Sequence, residues 1–207
     1  MMGDNEMVKS RRDEYKAQTR AAVLAAAADQ FATSGFVETT IDKVAGAARV
    51  SKGTVYYHFT DKAELFEAVF RDRQSALVNT VANAVADYHG DRWARLRVGL
   101  SVYLDQTIED AGHRALLQVA PTALGADRCR EIDEGMGVPV LRAALTDIAD
   151  AGQLPRRSVD MAARVLFAAL CEAAIAAGAD PDPPHARRDA AYVLDAIITG
   201  LQTAPTD

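Results

Sequence analysis

A dense run of hydrogen-bonding side chains lies between Ser51 and Lys62, in the order SKGTVYYHFTDK. Lys52, Thr54, Tyr56, Tyr57 and His58 each carry a group that can bond a phosphate oxygen or a base edge. Gly53 stands among them with no side chain, so another backbone can approach closely there. Groups that would catalyse a reaction are not arranged anywhere. The chain has no G-x-S-x-G, no H-E-x-x-H and no phosphate-cradling glycine loop, and His58, His89, His113 and His185 are scattered. No catalytic residue, metal site or cofactor is expected, and an all-helical enzyme or metal protein is the weakest reading.

The elements that must position this run are two short helices. Ile41, Val44, Ala45 and Ala48 fall at i, i+3, i+4 and i+7, one face of a helix. Thr39 or Thr40 can cap its start, and Thr39 with Asp42 has capping-box spacing. After a break at Ala48-Arg49-Val50, Ser51 caps a second helix, Lys52 to about His58. Val50 and Val55 sit where a hydrophobic staple would fix the approach of the chain. Asp61 and Glu64 repeat the capping pattern for the next helix. Two short helices joined by a tight turn make a helix-turn-helix.

Around it the chain reads as all-α, with about nine helices. Residues 1–15 lack apolar periodicity and are expected to form a flexible arm, whose Arg11, Arg12 and neighbouring Lys16 could reach a minor groove. A first helix is expected from about residue 14 to Ser34, with Val23, Ala27 and Phe31 inward and Gly35 at its exit. Asp61 to about Tyr88 reads as one long helix of about 27 residues, roughly 40 Å at 1.5 Å per residue. Further helices are expected over Trp93–Thr107, His113–Val119, Asp127–Ala151 (with a possible bend at Gly135–Pro139), Val159–Ala177 and Ala186–Leu201. The division expected is an arm over 1–15, a DNA-binding domain over 16–62, and a ligand-binding and dimerisation domain over 63–207.

Hydrophobic residues make up 49% and charged residues 25% of 207, enough for a packed core. The net charge of -6 would argue against nucleic acid if it were uniform. It is not. Residues 1–75 hold 11 basic and 11 acidic side chains, whereas the remainder holds 12 and 18, and all five lysines lie by position 62. A neutral N-terminal part can place cations on phosphates while the acidic remainder is repelled. No uncharged run of 18 residues and no apolar leader appear, so neither membrane span nor signal peptide is expected and a cytoplasmic location is. Cys129 and Cys171 read as reduced thiols, with a redox-sensing pair as the alternative.

The helix-turn-helix resembles the DNA-binding domain of the TetR family (TetR/AcrR-like) of transcriptional regulators over about residues 17–70. The matching residues are Ala25–Phe31, Gly35-Phe36, Thr39-Thr40-Ile41, Val44-Ala45, Val50–Phe59, Lys62 and Leu65-Phe66. The resemblance implies contacts to double-stranded DNA from Thr40, Arg49, Ser51, Lys52, Gly53, Thr54, Tyr56, Tyr57, His58 and Lys62. Thr40, Tyr56, Tyr57 and Lys62 would hold phosphates. Lys52, Gly53, Thr54 and His58 would read bases, and Arg49 lies near the turn. It also implies a homodimer through the last two helices, a near-palindromic operator with half-sites ~34–36 Å apart, and a small-molecule effector of unknown identity. The effector pocket would draw on Trp93, Tyr103, Thr107, His113, Gln118, Thr122, Met136, Phe167, Cys171 and Glu172. Glu172 interrupts an otherwise apolar helix, so it would be either a pocket carboxylate or an edge residue paired with a cation such as Arg164. The C-terminal part looks divergent within the family. The expected function is a repressor released by its effector, with a ligand-independent repressor or an activator as the alternative.

Overall fold

A computed structural model describes residues 3–203, with side chains from Asp13 onward. Among the described residues there are ten α-helices, one short 3-10 helix and no strand. The chain forms two compact units that divide between Phe70 and Arg71, eight residues beyond the division expected at 62/63.

The N-terminal unit is built from α1 (Gly3–Glu38), α2 (Ile41–Ala48), α3 (Lys52–His58) and the start of α4 (Lys62–Ala86). Helix α1 takes in residues 3–15, which were expected to be an arm. No described side chain from 13 to 22 is buried, so nothing apolar fixes that stretch; residue types of good helix propensity extend the helix beyond its packed part. The side chains of Arg11 and Arg12 lie outside the described residues. The regular helix stops where the sequence says, at Gly35, whose φ of 72° and ψ of 175° suit glycine alone. Val23, Ala27, Phe31, Ile41, Val44, Val55, Phe59, Leu65 and Phe66 close the core. Phe66 meets Phe31 and Phe36 edge-on, with ring centroids 5.1 and 5.4 Å away.

The C-terminal unit contains the rest of α4 with α5 (Arg92–Glu109), α6 (Ala111–Leu124), α7 (Ala126–Gly135), α8 (Gly137–Asp150), α9 (Val159–Ala179) and α10 (Pro183–Thr203). Helix α6 is longer than the expected His113–Val119 because Asp110 caps it, its carboxylate accepting from the His113 N–H at 2.9 Å. The single helix expected over Asp127–Ala151 is two. Met136 breaks it at φ -131°, ψ -69°, and Pro139 then falls in the first turn of α8, where its missing N–H costs nothing. Leu145, Ile148, Leu166, Leu170 and Ile198 lie at the centre of the core. The segment Arg156–Ala179 has a length and mean hydropathy, 1.6, that core helices share with membrane-crossing ones. Its Ala163, Leu166, Leu170 and Ala174 pack into the core, which accounts for that composition without a bilayer.

Candidate nucleic-acid interface and effector pocket

The turn between α2 and α3 is set by three local devices. Thr40, not Thr39, is the N-cap of α2, its hydroxyl oxygen accepting from the Lys43 N–H. Thr39 is fully buried and donates toward Gln30 and Gly35 carbonyl oxygens at 3.0 and 2.7 Å, tying α2 to the end of α1. Arg49 ends α2 in the left-handed region at φ 57°. Ser51 then caps α3, its hydroxyl oxygen accepting from the Thr54 N–H at 3.0 Å. The capping-box partner expected for Thr39, Asp42, instead accepts from Lys52 at 2.8 Å. That bond is the main cause holding the Lys52 ammonium above its ordinary pKa.

Helix α3 turns Val55 inward and leaves Lys52, Gly53, Tyr56 and Tyr57 exposed, with Thr54 and His58 half-buried. A Cβ at Gly53 would meet only the Ser51 hydroxyl oxygen, at 3.7 Å. Packing within the chain therefore does not require glycine there. Two cations of α1 join this face: Lys16 lies 5.5 Å over the Tyr57 ring and Arg20 5.2 Å over the Phe59 ring. Burial first, then Arg20 and Lys16, lower the His58 pKa, so its ring is neutral at pH 7. Arg20 was not among the sequence candidates. Its only signal was a spacing of four from Lys16 on one helix.

Lys62 behaves differently from the expectation. Its ammonium donates to the carbonyl oxygens of Phe36, Val37 and Thr39 at 2.8, 3.2 and 3.1 Å, and lies 4.4 Å over the Phe36 ring. Three donors are thus committed to the end of α1, and none remains for a phosphate. Lys62 joins α1 to α4.

The C-terminal unit holds an apolar cavity of ≈ 80 Å³. Val78, Val81 and Val85 of α4, Leu96, Gly99 and Leu100 of α5, Val140, Leu141 and Ala144 of α8, and Phe167 and Leu170 of α9 wall it. Ligand pockets typically occupy ~300–1,000 Å³, so a sizeable ligand must displace these side chains. The Phe167 ring rests on Gly137: a Cβ there would come within 2.1 Å of it. Two lining residues carry polar side-chain atoms, Tyr103 and Arg95. The Tyr103 hydroxyl is bonded to the Cys171 thiol at 3.3 Å and to Gln74. Burial pushes the Cys171 thiol up to about 12, which keeps it protonated and unreactive. Asp133, half-buried nearby, is raised to about 6, chiefly by desolvation. Arg95 stands half-buried and bonds Asp147 at 2.5 Å.

Two family models match the chain. "Bacterial regulatory proteins, tetR family" covers residues 23–69, and "Tetracyclin repressor-like, C-terminal domain" covers residues 93–201. The chain belongs to the TetR family. The HTH-type transcriptional regulator AcrR of Shigella flexneri is 30% identical over 111 residues, 53% of this chain and 52% of that protein. The probable acrEF/envCD operon repressor of Escherichia coli K12 is 29% identical over 125 residues, 60% of this chain and 54% of its own. The chain spans about half the length of the curated relatives it matches. Among solved structures, a SmeT–triclosan complex is similar in fold, with a TM-score of 0.71 at 22% identity over 92% of this chain and 94% of that one. AcrR and the acrEF/envCD repressor are transcriptional regulators, not enzymes.

Within this TetR-family chain the ten pocket candidates separate into groups. Tyr103 and Phe167 line the cavity, and Cys171 lies behind Tyr103. Met136 precedes the lining Gly137 and accepts from Arg71 through sulfur at 3.9 Å. Trp93 belongs to the core, while Thr107 Oγ1 and His113 Nε2 are buried away from the cavity walls, with no partner among the described residues. Gln118, Thr122 and Glu172 are exposed, so they are not pocket residues in this structure. Arg164 pairs with Glu134 at 2.9 Å rather than with Glu172. The sequence reading missed the small aliphatic wall and Asp133. Small side chains carry no chemical signal, and Asp133 lies on a helix, α7, that is mostly charged.

Proposed function

We propose that the chain is a DNA-binding transcriptional regulator of the TetR family, acting in the cytoplasm as a homodimeric repressor that a small-molecule effector releases from its operator. The observation that carries the reading is the outward face of α3: exposed donors flank a glycine that the chain's own packing does not need. In this reading Thr40, Tyr56 and Tyr57 hold phosphates, with Lys16 and Arg20 beside them. Lys52 leaves Asp42 to meet a base edge, with Gly53, Thr54 and His58 close to it, while Ser51 and Arg49 shape the turn.

Dimerisation is supported by the outer faces of α9 and α10, where Met161, Val165, Tyr192 and Val193 are at least half exposed. Large apolar side chains grouped on two neighbouring helices favour an isologous contact. Val165→Glu should shift sedimentation toward monomer. The effector reading draws on the cavity and on the triclosan bound by the similar SmeT. Effector binding would favour a state whose recognition helices fit DNA poorly, with α4 carrying the change. The small cavity also favours one alternative, a ligand-independent repressor or activator of the same fold.

The test is binding to duplex DNA from upstream of the gene at two salt concentrations, against a scrambled duplex. Specific binding that weakens with salt is the expected result. Failure to enrich any sequence from random duplexes would end this reading.

A further inference from the structure

We infer that the cavity of the C-terminal unit takes an apolar molecule carrying a single carboxylate head, with the head at Arg95 and the hydrocarbon body inward toward Phe167. This rests on reading that cavity as the effector site.

The interior of the cavity offers a ligand nothing polar to bond. Tyr103 supplies a hydroxyl, but Gln74 and Cys171 already engage it, and an inserted polar group would be desolvated without return. Apart from Gly99 and Gly137, the walls against the body are mostly valine, leucine and phenylalanine side chains, which can yield to a chain or ring. The Phe167 ring is packed directly on Gly137, where any side chain would displace it.

Arg95 is the one charged residue lining the cavity. Its guanidinium gives one Nη2 bond to Asp147 Oδ2, and the other oxygen of that carboxylate serves Arg92 at 3.1 Å. One carboxylate is thus shared by two arginines, and the remaining N–H donors of Arg95 have no partner among the described residues. A planar guanidinium with spare donors fits a second carboxylate. The residue is half-buried, so the head can keep part of its hydration while the body is desolvated. An ammonium head would meet Arg95 as a like charge, and a hydroxyl head would gain a single hydrogen bond without the ion pair and second bond that a carboxylate makes.

The experiment compares three probes of equal chain length on the full chain by calorimetry at pH 7.5: octanoate, 1-octanol and octylammonium. Octanoate should bind about tenfold tighter than 1-octanol, and octylammonium weakest. Arg95→Met should bring octanoate close to parity with 1-octanol while weakening 1-octanol far less than octanoate, and Arg95→Lys should keep part of the preference. Ala144→Phe, which fills the cavity, should remove both; Val140→Phe serves if that variant does not fold. The inference is overturned if octanoate is no tighter than 1-octanol, if its preference survives in Arg95→Met, or if no probe binds. Octanoate binding that depends on Arg95 yet leaves operator binding unchanged would uphold the site and end the effector reading instead.

Discussion

The two units solve opposite problems with their polar groups. In the N-terminal unit the buried hydroxyl of Thr39 and the half-buried ammonium of Lys62 both end on backbone carbonyls, and the donors of α3 face outward. Three phenylalanines fill the middle. In the C-terminal unit Thr107 Oγ1 and His113 Nε2 are buried with no partner among the described residues, Asp133 is desolvated, and a cavity adjoins the core. A reader of DNA gains from a fixed shape, because its contacts must arrive in register. A sensor gains from a core that is incompletely satisfied, because a ligand can then shift its balance.

The sharpest way to break this contrast is to truncate one aromatic in each unit. Phe66→Ala should cost about 3–5 kcal/mol in chemical denaturation, since its neighbours are close on all sides. Phe167→Ala should fall at or below the bottom of that range, because its ring already borders empty space. Equal losses would mean that the cavity does not loosen its surroundings.

Acid titration sharpens the same contrast. Burial lowers His113 from 6.5 to about 4, so the unfolded chain binds its proton first. Its neutral form favours the fold above pH 6.5, and that contribution is lost as pH falls toward 4, by about 3 kcal/mol in all. Asp133 runs the other way. Raised from 3.8 to about 6, it is protonated earlier in the fold, so its contribution is present below pH 3.8 and lost as pH rises through 6. Partial exposure reduces this to about 1–2 kcal/mol. The two effects oppose each other between pH 6.5 and 4. Asp133→Asn should therefore make Tm fall more steeply with acid than in the parent chain. An unchanged slope would remove Asp133 from this balance.

Smaller effects are expected in the N-terminal unit. Lys62→Ala should lower stability by about 1–3 kcal/mol by leaving carbonyls at the end of α1 unpaired. It should leave the slope of log K against log salt for operator binding unchanged, whereas loss of a phosphate contact would reduce it by about 0.9. Gly53→Ala should raise stability by up to about 1 kcal/mol through helix propensity yet weaken DNA binding. A variant both more stable and equally tight on DNA would mean that no backbone or base approaches there.

Much of the N-terminal unit is legible in the sequence because local rules settle it. The Ser51 cap, the Gly35 exit and the inward turn of Val55 and Phe59 each follow from neighbours a few residues away. Lys62 misleads because its partners lie 23 to 26 residues earlier, and spacing says nothing about that distance. The effector site is less legible for a related reason. Glu172 attracts notice as a charge among alanines, but which side of α9 faces the core depends on α5 and α8. Arg95 and Gly99 look like ordinary residues of an amphipathic helix until α4 and α8 close over them.

The most direct test of the account is selection of bound sequences from random duplexes, followed by salt-dependent binding of the winner. The account expects a near-palindromic sequence whose affinity falls with salt and is weakened by Gly53→Ala even though that variant is at least as stable as the parent chain. No enriched sequence, or an enriched one indifferent to Gly53→Ala, would contradict the assignment of α3 as the reading helix.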